Sequence, residues 1–450
     1  MPNRTSTTRK SSGVLLDPYG IYGTRTANRL RAARRRRQSQ NAIVVIVLLA
    51  ALAAGAQYLK MRRVMALKPA VRFQLQVPVV VPPLIARDER GSASAVMTAT
   101  TDGRLLRFDW PLDSKTEPLT ILDTAFPLYR PLQQGERAFV PCEDGKLYAV
   151  NWRQGKVLWS YTFGSPLTTR PAFATLLLAA PTVAEPARKV RRDIVIAVDG
   201  DGVMAALDAG SGHLRWKSKL PCPPGDSFRV TDGKVPRVLV PLIGSAVSRG
   251  GLWCLDAASG RVIWRFPADG KSEAAQFAPP EWDAKNNKLF LGNESGALFC
   301  LDAERGIYDP KKRIGWKAFA VPHESKSDAT VSWRTPPLLF FGNERGDGST
   351  RLVAGGSDGS VRCLSTENGG QLWQFMAQAP IANLQKFRFR GRDFILVCPR
   401  SGTLFLLDAA NGAVVKRLAS SGIFAGVNAA EESVIAITTA GELELFSLTL

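Results

Sequence analysis

The sequence predicts an all-β protein: an eight-bladed β-propeller of four-stranded antiparallel blades, preceded by one transmembrane helix. Three observations carry that expectation. First, Asp, Asn or Ser is followed four residues later by Gly and four after that by Trp in VNWRQGKVLW (Val150–Trp159), LDAGSGHLRW (Leu207–Trp216), LDAASGRVIW (Leu255–Trp264) and LSTENGGQLW (Leu364–Trp373). Second, a glycine turn lies upstream of each copy, and counting these turns at Gly103, Gly145, Gly202, Gly251, Gly296, Gly359, Gly402 and Gly441 gives eight units. A recurrent unit of this size means a propeller, a solenoid or an array. Third, an uncharged run lies at Ala42–Ala56, shortly after Arg34–Arg37.

The elements follow in chain order. Residues 1–41 hold ten Lys/Arg and one Asp and read as a basic, disordered cytoplasmic tail. Thr26–Arg37 within them reads as a topology signal in preference to a lipid-binding helix. Residues 42–59 form the expected span, near the lower length limit for a helix crossing a bilayer. More positive charge precedes the span than follows it, which predicts a cytoplasmic N-terminus and an exported body. The alternative is a cleaved signal peptide ending at Ala54-Gly55-Ala56, although the preceding basic region is long for one. Residues 60–69 are a juxtamembrane linker, and the propeller occupies 70–450. That body is only mildly basic, so the overall charge of +20 is no argument for nucleic-acid binding.

Within the body, segments such as DIVIAVD and KLFLGN have strand composition, and Asp-Gly or Ser-Gly pairs supply hairpin turns. LDAERG (Leu301–Gly306) keeps the first half of the repeat, with Trp316 delayed by an insertion. LDAANG (Leu407–Gly412) has Lys416 where the Trp would stand. The last unit ends without room for an outer strand, and the strand-like Ala70–Val80 has no unit of its own. Those two facts predict that the N-terminal segment completes the last blade and closes the ring. Two excursions, Ala174–Asp193 and 321–350, lengthen loops that are candidate partner-binding elements.

The repeat resembles the PQQ-type pattern DG-x-L-Y-A-L-D-x-x-T/S-G-x-x-x-W, matched best at Asp144–Trp159 and Asp201–Trp216. The resemblance covers about residues 70–450 and implies an eight-bladed propeller. One branch of this PQQ-like, quinoprotein-type family holds dehydrogenases that bind pyrroloquinoline quinone and Ca²⁺, often on a vicinal Cys–Cys disulfide. The other holds non-enzymatic scaffolds such as the outer-membrane assembly factor BamB. The sequence departs from the enzymes, having neither a vicinal Cys pair nor a clear Asp/Glu/Asn cluster. It departs from BamB in having an apolar span in place of a lipidated Cys. The non-enzymatic branch is the better match.

Several residues invite chemical readings. Trp159, Trp216, Trp264, Trp316 and Trp373 recur once per blade and are expected to pack between blades. Cys254, Cys300 and Cys363 occupy a small-residue position of the repeat. Cys142 and Cys398 end strands, while Cys222 in PCPPGD is the one expected to be exposed. His213 and His323 are too few for a zinc site or a triad. The Asp-Gly turns lack the oxygen density of a Ca²⁺ loop, and Arg345-Gly346-Asp347 reads as loop composition. Arg130, Arg170 and Arg334 each stand just before the prolines that open an inner strand, which predicts an anion or ligand site at one channel mouth.

The expectation for function is a membrane-anchored, extracytoplasmic scaffold for protein–protein interactions in cell-envelope protein assembly. No catalytic, cofactor or metal site is expected, nor nucleic-acid binding. The partners would be envelope or membrane proteins and the propeller monomeric. The expected location is the bacterial inner membrane, N-terminus in the cytoplasm and propeller in the periplasm or outside. The alternatives are a PQQ-dependent oxidoreductase and a ligand-binding sensor ectodomain.

Overall fold

A run of apolar residues buried on both faces makes a central strand, and each blade has two of them. Arg237–Leu242 and Gly251–Asp256 are such a pair, nearly every side chain withdrawn from solvent. The outer strands alternate instead: in Leu214–Lys219 Trp216 is buried while its neighbours face outward. A computed structural model describes residues 66–448 except 114, 180–188, 226, 232–234, 245–249, 268–275, 304–313, 320–330, 342–349 and 421. The tail 1–41, the span 42–59 and most of the linker lie outside the described residues. Among the described residues no helix is long and apolar enough to cross a membrane.

The strands form eight sheets, each built on four antiparallel strands, with a fifth strand added to one of them. In chain order the blades are 84–123, 132–162, 172–219, 229–266, 281–319, 338–376, 381–419 and 424–447. The inner strands of neighbouring blades touch around a ring, with Arg170 pairing in parallel with Ser227 at the starts of the third and fourth. Because strands alternate in direction within a blade, the outer-to-inner connections and the turns between second and third strands share one face. The turns between third and outer strands share the other.

The Asp–Gly–Trp spacing is the joint between blades. Asp208 Oδ1 accepts hydrogen bonds from the amides of Gly210 and Ser211, and its carbonyl accepts one from Gly212. Asp256 holds Ala258, Ser259 and Gly260 in the same way. The closing glycines at 155, 212, 260, 369 and 412 have φ between 65° and 75°. The Trp of the preceding blade lies directly over the turn. A Cβ at Gly260 would stand 2.5 Å from Cε3 of Trp216, and one at Gly412 2.5 Å from Trp373. Each indole N–H then donates to a carbonyl in the turn beneath it: Trp216 to Ala257 (2.9 Å), Trp316 to Thr366 (2.9 Å), and Trp159 and Trp373 to Ala209 and Ala409 (3.3 Å). Ile121 takes the Trp position in the first blade and packs near Gly155.

The ring closes through the N-terminal segment. Val71–Gln74 pairs antiparallel with Glu442–Leu445 as the outer strand of the eighth blade. Phe73 also meets Phe108 of the first blade, ring centroids 5.3 Å apart. Ahead of it, Ala66–Leu67 adds a fifth strand to the seventh blade, parallel to Arg417 and Leu418. The eighth blade has no turn between its third and outer strands, since those two strands come from opposite ends of the chain. A Trp at Lys416 would have nothing to dock on.

Two expectations are corrected. Cys222 is 6 % exposed, packed among Leu220, Phe228 and Leu242, because the PCPPGD loop folds back against its own blade. Part of the first excursion is not loop: Ala172–Ala179 and Lys189–Val198 pair in unbroken register as a long hairpin.

Candidate functional site

The inner strands enclose a central channel with a cavity of about 960 Å³. Its walls can be read layer by layer from the first paired residue of each inner strand. One layer contains Leu132, Ala172, Arg229, Glu281 and Leu338. Two residues earlier, at the mouth, stand Arg130, Arg170, Ser227, Pro279 and Pro336, all lining the cavity.

Arg130 and Arg170 therefore sit side by side on consecutive blades. The surrounding ring lowers the proton affinity of both guanidinium groups by desolvation, although Arg130 is exposed to the channel and Arg170 half-buried. For Arg170 the charge of Arg130 adds to that effect, and together they bring it down to about 10, so Arg170 remains a cation at neutral pH. Arg170 Nε is buried without a hydrogen-bond acceptor among the described residues. Arg229, one layer deeper, is paired with Glu281 through both terminal guanidinium nitrogens, Nη1 and Nη2. Burial pushes the Glu281 carboxyl up while Arg229 and Lys386 oppose that shift. Arg191, at the other end of the channel, pairs with Asp193 at 3.3 Å.

Arg334 does not join this group. Its side chain is exposed and reaches Glu294 at 3.9 Å, while Pro336 and Pro337 line the cavity in its place. Register is the cause. Arg130 and Arg170 stand two residues before the first paired residue of their strands, whereas Arg334 stands four before Leu338. Arg229, Glu281 and Lys386 were missed by sequence reasoning. Glu281 carried a signal, since Pro279-Pro280 opens its strand as prolines open the arginine-bearing ones.

Trp159, Trp216, Trp264, Trp316 and Trp373 all lie on outer strands, remote from the channel. His213 lies exposed in a turn, while His323 and Arg345–Asp347 fall outside the described residues. The six cysteines are buried and none is in a disulfide. Burial pushes the thiols of Cys363 and Cys398 up to about 12 and that of Cys300 up to about 11. Among the described residues no group of three or more His, Cys, Asp or Glu is placed to hold a metal ion. The channel residues do not fit a Ca²⁺-dependent quinone: Glu281, the carboxylate lining the cavity, is held by an arginine, and no two cysteines are adjacent. What the channel offers is positive charge within a wall rich in proline.

The face around this mouth is apolar in part. Val80, Phe126 and Ile423 sit on three successive outer-to-inner connections and are 58 %, 51 % and 54 % exposed. Ile243 is exposed on the same face, after the second strand of the fourth blade.

A family model described as outer membrane protein assembly factor BamB matches residues 60–266 and 172–307. BamB of Yersinia pestis is 22 % identical over 355 residues, covering 72 % of this chain and 81 % of that protein. A polyvinylalcohol dehydrogenase of a Sphingopyxis species is also 22 % identical, over 317 residues and 62 % of this chain, but the match spans only 42 % of that protein. In fold, the chain is similar to the crystal structure of BamB from Moraxella catarrhalis, with a TM-score of 0.56 at 15 % identity over 86 % of this chain and 98 % of that one.

Proposed function

This chain belongs to the PQQ-like repeat family described as outer membrane protein assembly factor BamB, and from that membership we propose that it is a non-enzymatic scaffold for envelope protein assembly. One observation supports the scaffold reading over the dehydrogenase reading. Trp159, Trp216, Trp316 and Trp373 are engaged in blade joints, and the face around the channel mouth carries the exposed apolar side chains Val80, Phe126, Ile243 and Ile423. On this reading the propeller is monomeric, and Val80, Phe126 and Ile423 contact an envelope protein. The run 42–59 tethers it to the bacterial inner membrane, with residues 1–41 in the cytoplasm and the propeller in the periplasm.

Complementation tests the reading. Cells lacking the protein should hold less folded outer-membrane barrel protein. The wild-type chain should restore it, and a Phe126→Asp, Ile423→Asp variant should not. Unchanged barrel levels, or dye-linked alcohol oxidation after loading with pyrroloquinoline quinone and Ca²⁺, would decide against it. N-terminal sequencing of the mature protein tests the tether, since a start at Gln57 means cleavage.

A further inference from the structure

The geometry points to an anion site in the channel mouth: we propose that Arg130 and Arg170 together bind a small polyvalent oxyanion, one that presents carboxylate or phosphate oxygens. The inference rests on the channel alone and stands whether or not the scaffold reading does.

Four observations carry it. The two arginines are neighbours in one layer, on consecutive inner strands joined by parallel packing of the ring. Neither has a carboxylate partner among the described residues, whereas the other channel arginines do: Arg229 has Glu281 and Arg191 has Asp193. Arg170 Nε is buried with no acceptor, a costly state for a charged donor unless something else supplies the oxygen. The other residues at that level that line the cavity are Ser227, Pro279 and Pro336, and none of them carries negative charge.

Two guanidinium forks held side by side in a partly desolvated site suit an anion with two or more negative oxygens, since each fork donates two parallel N–H bonds. A lone chloride would offset only half of the charge and leave most of those donors unfilled. The cavity of about 960 Å³ exceeds the size of phosphate and has room for a tricarboxylate. The site is open at the face that carries Val80, Phe126 and Ile423, so a ligand enters without blade separation.

Calorimetric titration of the detergent-solubilised full chain tests this, with inorganic phosphate and citrate as probes and sodium chloride at matched ionic strength as control. The expected result is one-to-one binding of at least one probe, with a rise in melting temperature that chloride does not produce. Citrate alone identifies a carboxylate site and phosphate alone a phosphate site. Arg130→Gln and Arg170→Gln should each weaken binding at least tenfold, and Arg334→Gln should leave it unchanged. Arg170→Gln should melt no lower than wild type without anion, because it removes a like-charge contact. Arg170→Lys keeps the charge but loses the fork, and a several-fold loss is expected there with the fold intact. Absence of one-to-one binding of either probe in the millimolar range would overturn the proposal. So would binding that survives Arg130→Gln, Arg170→Gln in combination.

Discussion

Gly260 shows how one residue joins two blades. Its φ of +69° is strained for any side chain, and the indole of Trp216 fills the space a Cβ would need. Gly91 separates the two effects, having φ +83° with nothing within 4 Å of its would-be Cβ. Gly91→Ala should therefore cost the backbone term alone, about 1 kcal/mol. Gly260→Ala should cost about 3 kcal/mol, adding displacement of a packed ring and of its bond to Ala257. Urea unfolding of both variants measures the difference; equal costs would mean that the indole yields freely and the joint is not a constraint. Acid gives a second residue-scale test. Arg215 beside Asp208, with the turn amides, holds that carboxyl down to about 2. Its contribution is present above the ordinary aspartate value and disappears as pH falls toward 2. Exposure of the pair keeps the effect small, roughly 1 kcal/mol or less, so the prediction is a shallow loss of stability between about pH 4 and 2 that Asp208→Asn abolishes.

At the scale of elements, the closing strand Val71–Gln74 carries the second kind of joint. Arg72 pairs with Glu444 at 2.9 Å, and the Glu444 side chain is fully buried. Burial lifts the Glu444 carboxyl above its ordinary range, against the opposing pull of Ser420 and Arg72. A raised carboxyl value means that the folded chain holds its proton longer than the unfolded one, so stability falls as pH rises through that interval. Arg72→Ala removes the cation and lifts Glu444 further. The variant should be about 1–3 kcal/mol less stable than wild type at pH 7, and the gap should narrow toward pH 4, where protonated Glu444 no longer needs its partner. Denaturant midpoints at the two values check the sign; a gap independent of pH would mean that the guanidinium contributes by packing alone. The closing strand was legible in the sequence because two absences matched: an unassigned strand at one end and a missing one at the other. Ala66–Leu67 was not legible, since two residues carry no periodicity and its parallel partner is 351 positions away. The channel cations were legible in part. Local sequence placed Arg130 and Arg170 beside their prolines, but WRTPP has a second proline, and only the pairing of Leu338 with Val353 shows which residue holds the lumen position.

Taken as a whole molecule, the ring has no free blade. Each of the joints at Trp159, Trp216, Trp316 and Trp373 passes from one blade to the next, and the chain ends supply the last closure. A closed ring of this kind differs from an open repeat array, in which neighbours couple in a line and terminal units fray first. Removing the closing strand should therefore loosen more than the eighth blade. It would leave the edge of Glu442–Ser447 unpaired and withdraw Phe73 from Phe108 on the first blade. Deletion of residues 70–80 is expected to lower the melting temperature by roughly 5–10 °C, within one calorimetric transition, because the seam at the first and eighth blades is where all other joints are held in register. A main transition that stays at the wild-type temperature, with or without a small early one, would show that the other seven blades stand without closure. The ring would then behave as an array whose ends happen to meet.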